Sequence, residues 1–172
     1  QTAIGTVTAT DADGDSVTFT ISGSELAITT AGVLTFASAP DYETKSTYTA
    51  TVAARDGNNT TSQSLTITVT NVNETSPVIT SSANFSAAEN QTAIGTVTAT
   101  DADGDSVTFT ISGSDLEITS AGVLTFDSAP DYETKSTYTA TVTASDGTNT
   151  TSQTLTITVT NVNETSSVIT SS

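Results

Sequence analysis

The chain is 172 residues long and carries 19 acidic against 3 basic residues, for a formal net charge of -16. A surface this acidic meets a nucleic-acid backbone with like charge and releases no counterions, which excludes nucleic acid as a partner. Histidine, cysteine, methionine and tryptophan are absent and no apolar run approaches the roughly 20 residues that cross a bilayer; this excludes Ser-His and Cys-His nucleophiles, disulfides and the usual zinc and transition-metal sites, and puts any membrane attachment in parts of the molecule outside this sequence.

In chain order, the first apolar alternation is Val17, Phe19, Ile21, followed by Tyr48, Ala50, Val52, Ala54 and then Leu65, Ile67, Val69, each with Thr or Ser on the other face. Such period-2 patterns are half-buried strands. Turn signals separate them at Gly14, Gly23, Ala31-Gly32, Pro40-Asp41 and Asp56-Gly57. The same text then returns: Gln1 to Ser82 reappears as Gln91 to Ser172 with a handful of substitutions, among them Glu25 to Asp115, Ala27 to Glu117, Arg55 to Ser145 and Pro77 to Ser167. A period of 90 residues can hold its own core, so the repeats are tandem domains and not a solenoid of short units. The expected organisation is a repeat at 1–75 without its amino-terminal part, a complete repeat at 76–165, and the start of a third at 166–172, a window on a longer array. In the complete repeat the predicted strands are A near 78–87, B near 93–100, C near 107–111, D near 116–119, E near 123–126, F near 136–145 and G near 152–162. The fold class is therefore all-β: tandem immunoglobulin-like, seven-stranded sandwiches, the first lacking strand A.

Alternating strand directions sort the acids to the two ends of each sandwich. The B–C and F–G turns place Asp101, Asp103, Asp105 and Asp146 at the top. The A–B and E–F turns and the end of G place Glu89, Asp131, Glu133, Asn161, Asn163 and Glu164 at the bottom. Because strand G of the first repeat runs into strand A of the second, Asp41, Glu43, Asn73 and Glu74 are expected to face Asp101, Asp103, Asp105 and Asp146. Converging carboxylates repel by roughly 1 to 4 kcal/mol per close pair, so a cation is expected between them. Calcium suits this set of carboxylate, amide and carbonyl oxygens, and magnesium suits it less. The run Asp11-Ala12-Asp13-Gly14-Asp15 is not an EF-hand loop, because its glycine comes too early and Ser22 stands where the bidentate glutamate belongs.

Ala88-Glu89-Asn90, Asp101-Ala102-Asp103, Asp131-Tyr132-Glu133, Ser145-Asp146-Gly147 and the linker Asn71-Val72-Asn73-Glu74-Thr75-Ser76-Pro77 resemble, in order, the five calcium motifs of cadherin repeats. The resemblance covers the whole chain, and the short DADGD and VNE variants are similar to the cadherin-like repeats of large bacterial surface adhesins. It implies cadherin-type sandwiches with Ca2+ at the junctions. The implied ligands are Asp41, Glu43, Asn71, Asn73 and Glu74 from one side and Asp101, Asp103 and Asp146 from the other, with terminal half-sites at Asp11, Asp13 and Asp56 and at Glu89, Asp131 and Glu133. Asn71 and Glu74 stand where the family carries aspartates, and the first repeat has no counterpart of Glu89. The implied function is a calcium-rigidified extender of an extracellular, cell-surface adhesin of bacteria, partnered by neighbouring repeats of its own chain and not an enzyme. The alternative is a carbohydrate-binding or homophilic module; Tyr42 and Tyr132 are its candidate platform, but the strand faces are Thr, Ser, Ala and Asn, without an aromatic cluster. Val168 to Ser172 also repeats the opening of strand A, so head-to-tail self-association is expected, with that segment meeting the open edge of the first repeat.

Overall fold

The structure, a computed structural model, describes residues 2–164; the expected beginning of a third repeat at 166–172 lies outside them. The chain divides between Val72 and Asn73 into two compact units. Among the described residues there are only strands, turns and irregular segments, and no helix is long and apolar enough to cross a membrane.

Unit 1 contains β1 (Ala3–Thr6), β2 (Thr18–Ile21), β3 (Leu26–Ile28), β4 (Val33–Phe36), β5 (Thr47–Arg55) and β6 (Thr60–Thr68). One sheet has the order β1-β4-β3 and the other β2-β5-β6. The long β5–β6 hairpin pairs Thr47 with Thr68 through to Arg55 with Thr60, so Thr and Ser stand outside while Val52 is buried. Its turn is closed by Asp56, whose Oδ1 accepts hydrogen bonds from the amides of Asn58 (2.8 Å) and Asn59 (2.6 Å). Aspartate does this because its short side chain reaches the backbone two and three residues ahead.

Unit 2 adds strands that have no counterpart among the described residues of unit 1. Its elements are β7 (Val78–Ile79), β8 (Asn84–Ala88), β9 (Ala93–Thr96), β10 (Ala99–Thr100), β11 (Thr108–Ile111), β12 (Leu116–Ile118), β13 (Val123–Phe126), β14 (Thr137–Ser145) and β15 (Thr150–Thr160). The sheets run β11-β14-β15-β8 and β12-β13-β9, with β10-β7 as a two-stranded ladder. Between them Val97, Leu124, Phe126, Val142, Ala144, Leu155, Ile157 and Val159 form a closed core. Each unit is an immunoglobulin-like sandwich, the first without its strand A.

Strand A differs from the single run expected. It breaks after Ile79: the amides of Thr80 and Ser81 both donate to the carbonyl of Thr98, at 2.8 and 3.3 Å, and the Ser82 hydroxyl caps the amide of Asn84 at 3.0 Å. The chain then crosses to the opposite sheet, where β8 pairs with β15 in parallel and not antiparallel. Strand B is likewise split into β9 and β10, with a bulge opposite Leu124 and Thr125. The break at Val97 follows from the β12–β13 turn, whose Gly122 carbonyl accepts the Val97 amide at 2.8 Å. Gly122 has φ +87°, and a Cβ there would stand 2.2 Å from the Val97 carbonyl oxygen, so only glycine fits.

Candidate metal centre

At one end of unit 2 the turn between β10 and β11, the β14–β15 hairpin and the segment leading into β7 bring their polar groups together. Asp101 Oδ1 accepts the amides of Asp103 (2.9 Å) and Asp105 (3.3 Å), which curls the turn so that one carboxylate oxygen from each of the three aspartates lies within 4.8 Å of the others. Asp103 is 8% exposed. Its Oδ2 accepts the amides of Glu74 (3.0 Å) and Thr75 (2.7 Å), and its Oδ1 accepts the Thr75 hydroxyl at 3.1 Å. Asn149 Nδ2 donates to Asn73 Oδ1 at 2.7 Å, with Thr75 O and Asp146 Oδ2 each at 3.2 Å. The linker residues 73–75 are thus held by Asp103 and Asn149 of the same unit.

The opposite end of unit 2 is built around Glu89, which is 3% exposed. Its two oxygens accept the amides of Val162 (2.6 Å) and Tyr132 (2.8 Å). Asp131 caps its own turn, taking the amides of Glu133 and Thr134 on Oδ1 and the Thr134 hydroxyl on Oδ2. Asn161 Nδ2 donates to Glu133 Oε1 at 2.6 Å, and oxygens of Glu89, Asp131 and Glu133 lie within 4.8 Å of one another.

In unit 1 the same motifs are present in plainer form. Asp11 Oδ1 accepts the amides of Asp13 and Asp15, Asp56 holds its hairpin, and Asp41 repeats the cap made by Asp131. Asp13, Asp41, Glu43 and Asn71 are exposed. Two polar residues at these ends, Thr75 and Asn149, stand neither among the end residues nor among the implied ligands read from the sequence, and Asn161, placed at the bottom end, is joined to Glu133. Asn149 had a signal, since Asn58 becomes Thr148 between the repeats while Asn59 is kept as Asn149. Asp105, which the implied ligand set leaves out, has its carboxylate in the group with Asp101 and Asp103.

Hydrogen bonds hold Asp41, Asp56, Asp131 and Asp146 below the ordinary carboxylate range. Asp41 and Asp131 sit below the ordinary carboxylate range, first through the hydroxyls of Thr44 and Thr134 and then through backbone amides. Asp56 is lowered by the amides of Asn59 and Asn58. For Asp146 burial pushes upward, but the amides of Asn149 and Thr148 and the side chains of Asn149 and Asn73 together bring it down. Clustered carboxylate oxygens suit a hard cation. One atom makes the fit specific: Asp101 Oδ2 is buried and, among the described residues, accepts no hydrogen bond. A buried carboxylate oxygen without a partner is costly, and a bound cation removes that cost. The acidic groups at both ends can hold a metal ion.

Residues 73–160 match the family described as Bacterial Ig domain. The chain belongs to that family. The chain is also 34% identical over 139 residues to mouse Protocadherin Fat 4, a match covering 70% of this chain and 3% of that protein. Among solved structures, mouse cadherin-23 EC22-24 superposes with TM-score 0.80 at 22% identity, covering 95% of this chain and 61% of that one. Human protocadherin-24 EC1-2 superposes with TM-score 0.78 at 22% identity, covering 93% and 88%. The likeness shows that the chain has the cadherin-type sandwich fold.

Proposed function

We propose that these repeats are calcium-stiffened spacers of an extracellular bacterial adhesion protein, without enzymatic activity. The observation that carries the reading is Asp103, buried at 8% exposure, holding the linker amides of Glu74 and Thr75 beside the unpartnered Oδ2 of Asp101. Asp101, Asp103, Asp105 and Asp146 would hold the ion together with Asn73, and in the proposed junction site Asn71, Glu74, Asp41 and Glu43 complete the oxygens. Glu89, Asp131 and Glu133 would serve the next junction, and Asp11, Asp13 and Asp56 the preceding one. Calcium accepts this number and mixture of oxygen donors. When bound it supplies charge neutralisation. The protein's own part is to fasten residues 73–75, so that the chain leaving one sandwich is fixed to the turns of the next. The bacterial placement is supported by the family description, and the adhesive role by the names of the relatives.

An ion that binds only the folded state raises stability by about 2.7 kcal/mol at a hundredfold excess over its Kd. Thermal unfolding of the chain is therefore expected at higher temperature with millimolar calcium than with chelator, and scattering is expected to show a narrower range of distances between the two units. Identical melting curves in the two conditions would reject the calcium reading; a raised Tm with no narrowing would reject the spacer.

A further inference from the structure

The side-chain nitrogen of Asn149 stands where three oxygens of unit 2 converge. Its Nδ2 lies 2.7 Å from Asn73 Oδ1 and 3.2 Å from both Thr75 O and Asp146 Oδ2. The turn between β14 and β15 puts it there: the main-chain amides of Thr148 and Asn149 donate to Asp146 Oδ1 at 2.7 and 2.6 Å, which seats the Asn149 side chain beside the aspartate. The same turn in unit 1 aims Asn59 Nδ2 at Asp56 Oδ2, 3.1 Å away, so this pairing is local to the hairpin. A main-chain carbonyl and an ionised carboxylate can only accept, so the nitrogen of the Asn149 amide, and not its oxygen, faces Thr75 and Asp146. That nitrogen has two hydrogens to share among the three oxygens.

A carbonyl, a carboxylate and a side-chain amide oxygen around one point are the donor mixture that calcium takes. An amide nitrogen is a donor and no ligand, so the Asn149 nitrogen and an ion shared by these oxygens exclude each other. We propose that Asn149 is a competing donor at this end of unit 2: its amide holds Asn73, Thr75 and Asp146 together by itself, turns away from them when calcium enters, and so weakens calcium binding. The inference rests on the calcium reading of the same oxygens. Asn149 is not what keeps the linker in place, because Asp103 separately accepts the amides of Glu74 and Thr75 and the Thr75 hydroxyl. Taking the Asn149 amide away therefore frees the oxygens and leaves residues 74 and 75 fastened. Nor does this amide serve Asp101 Oδ2, which is buried and accepts no hydrogen bond among the described residues. That oxygen is what an ion gains over the amide.

Calorimetric titration of the whole chain with calcium chloride, together with Tm in chelator, tests the proposal. The binding heat that disappears in Asp103→Ala with Asp146→Ala marks this site. For Asn149→Ala, Tm in chelator is expected to fall, since the contacts to Asn73, Thr75 and Asp146 go. Calcium is nevertheless expected to bind roughly tenfold more tightly, a factor equivalent to about 1.4 kcal/mol and of the order of one net hydrogen bond. A residue that only positioned the ligands would move both readouts downward together. Asn149→Asp, of the same size but with an oxygen in place of the nitrogen, is expected to bind calcium more tightly still. In the wild-type protein the side-chain NH2 protons of Asn149, identified in NMR spectra by their loss in Asn149→Ala, are expected to exchange slowly with solvent in chelator and faster with calcium. Wild-type protein that takes up no calcium at this site overturns the calcium reading and this inference with it. Wild-type binding with equal or weaker binding in Asn149→Ala, or NH2 protons equally protected with and without calcium, overturns this inference alone. Should Asn149→Ala not fold in chelator, Asn149→Asp identifies the protons and their exchange decides.

Discussion

Asp13 and Asp103 share the sequence Asp-Ala-Asp-Gly-Asp, yet the first is exposed and the second is buried. The difference comes from residues 28 and 29 positions earlier in the chain, Thr75 and Glu74, whose amides Asp103 binds. Local sequence placed the carboxylate in its turn; the tertiary partner decided its burial, and this is why the motif was legible and its environment was not. Glycines show the same division between local and tertiary causes. Gly104 and Gly122 both have positive φ, 81° and 87°, but a Cβ on Gly104 meets nothing within 4 Å while one on Gly122 meets the Val97 carbonyl oxygen at 2.2 Å and the Phe109 ring at 3.2 Å. Left-handed backbone alone costs a non-glycine residue about 1–3 kcal/mol. Gly104→Ala is expected to fall within that range in urea unfolding, and Gly122→Ala to exceed it because the β12–β13 turn must move away from Val97. Equal losses for the two would show that the close approach to Val97 is not needed.

At the scale of elements, the strands that alternate cleanly were the legible ones. Tyr138, Ala140, Val142 and Ala144 of β14 face inward against Leu155 and Ile157 of β15, and both strands lie where period 2 put them, within two residues at each end. Strand A was not legible as two pieces in two sheets, because the crossing depends on a hydroxyl cap at Ser82 and a shared carbonyl at Thr98, neither of which leaves a hydropathy pattern. The parallel β8–β15 ladder likewise depends on which edge is free. These two short strands carry weight. The hairpins β5–β6 and β14–β15 are almost identical in sequence, but Ile157 and Val159 are fully buried beneath β8 while Ile67 and Val69 are half-buried. Buried apolar area contributes roughly 25 cal/mol per Å², so several half-exposed core residues make unit 1 the weaker sandwich. Amides of β5 and β6 are expected to exchange with deuterium faster than the matching amides of β14 and β15. Equal protection of the two hairpins would mean that the cover given by β7 and β8 contributes nothing to stability.

For the molecule as a whole, the net charge of -16 gives two separable electrostatic terms. One is diffuse repulsion, which monovalent salt screens as the Debye length falls from about 30 Å at 0.01 M to about 3 Å at 1 M. The other is local, at the clustered oxygens of Asp101, Asp103 and Asp105, where close pairs repel by about 1 kcal/mol in water and about 4 kcal/mol near a protein surface. Sodium chloride acts on the first, and a cation seated among the carboxylates acts on the second. In chelator, Tm is therefore expected to climb gradually with sodium chloride and to level off. Millimolar calcium added at high salt is expected to raise it again, and magnesium to raise it less, because magnesium demands tighter octahedral order and holds its own water. Asp103→Ala with Asp146→Ala lowers the starting Tm by breaking the bonds to Glu74, Thr75 and Asn149, so the increments carry the information and the baseline does not. The double variant is expected to keep the sodium chloride increment and lose most of the calcium increment. A wild-type calcium increment that disappears at high salt would make calcium one more counter-ion, and the clustered acids would then be solvated turns.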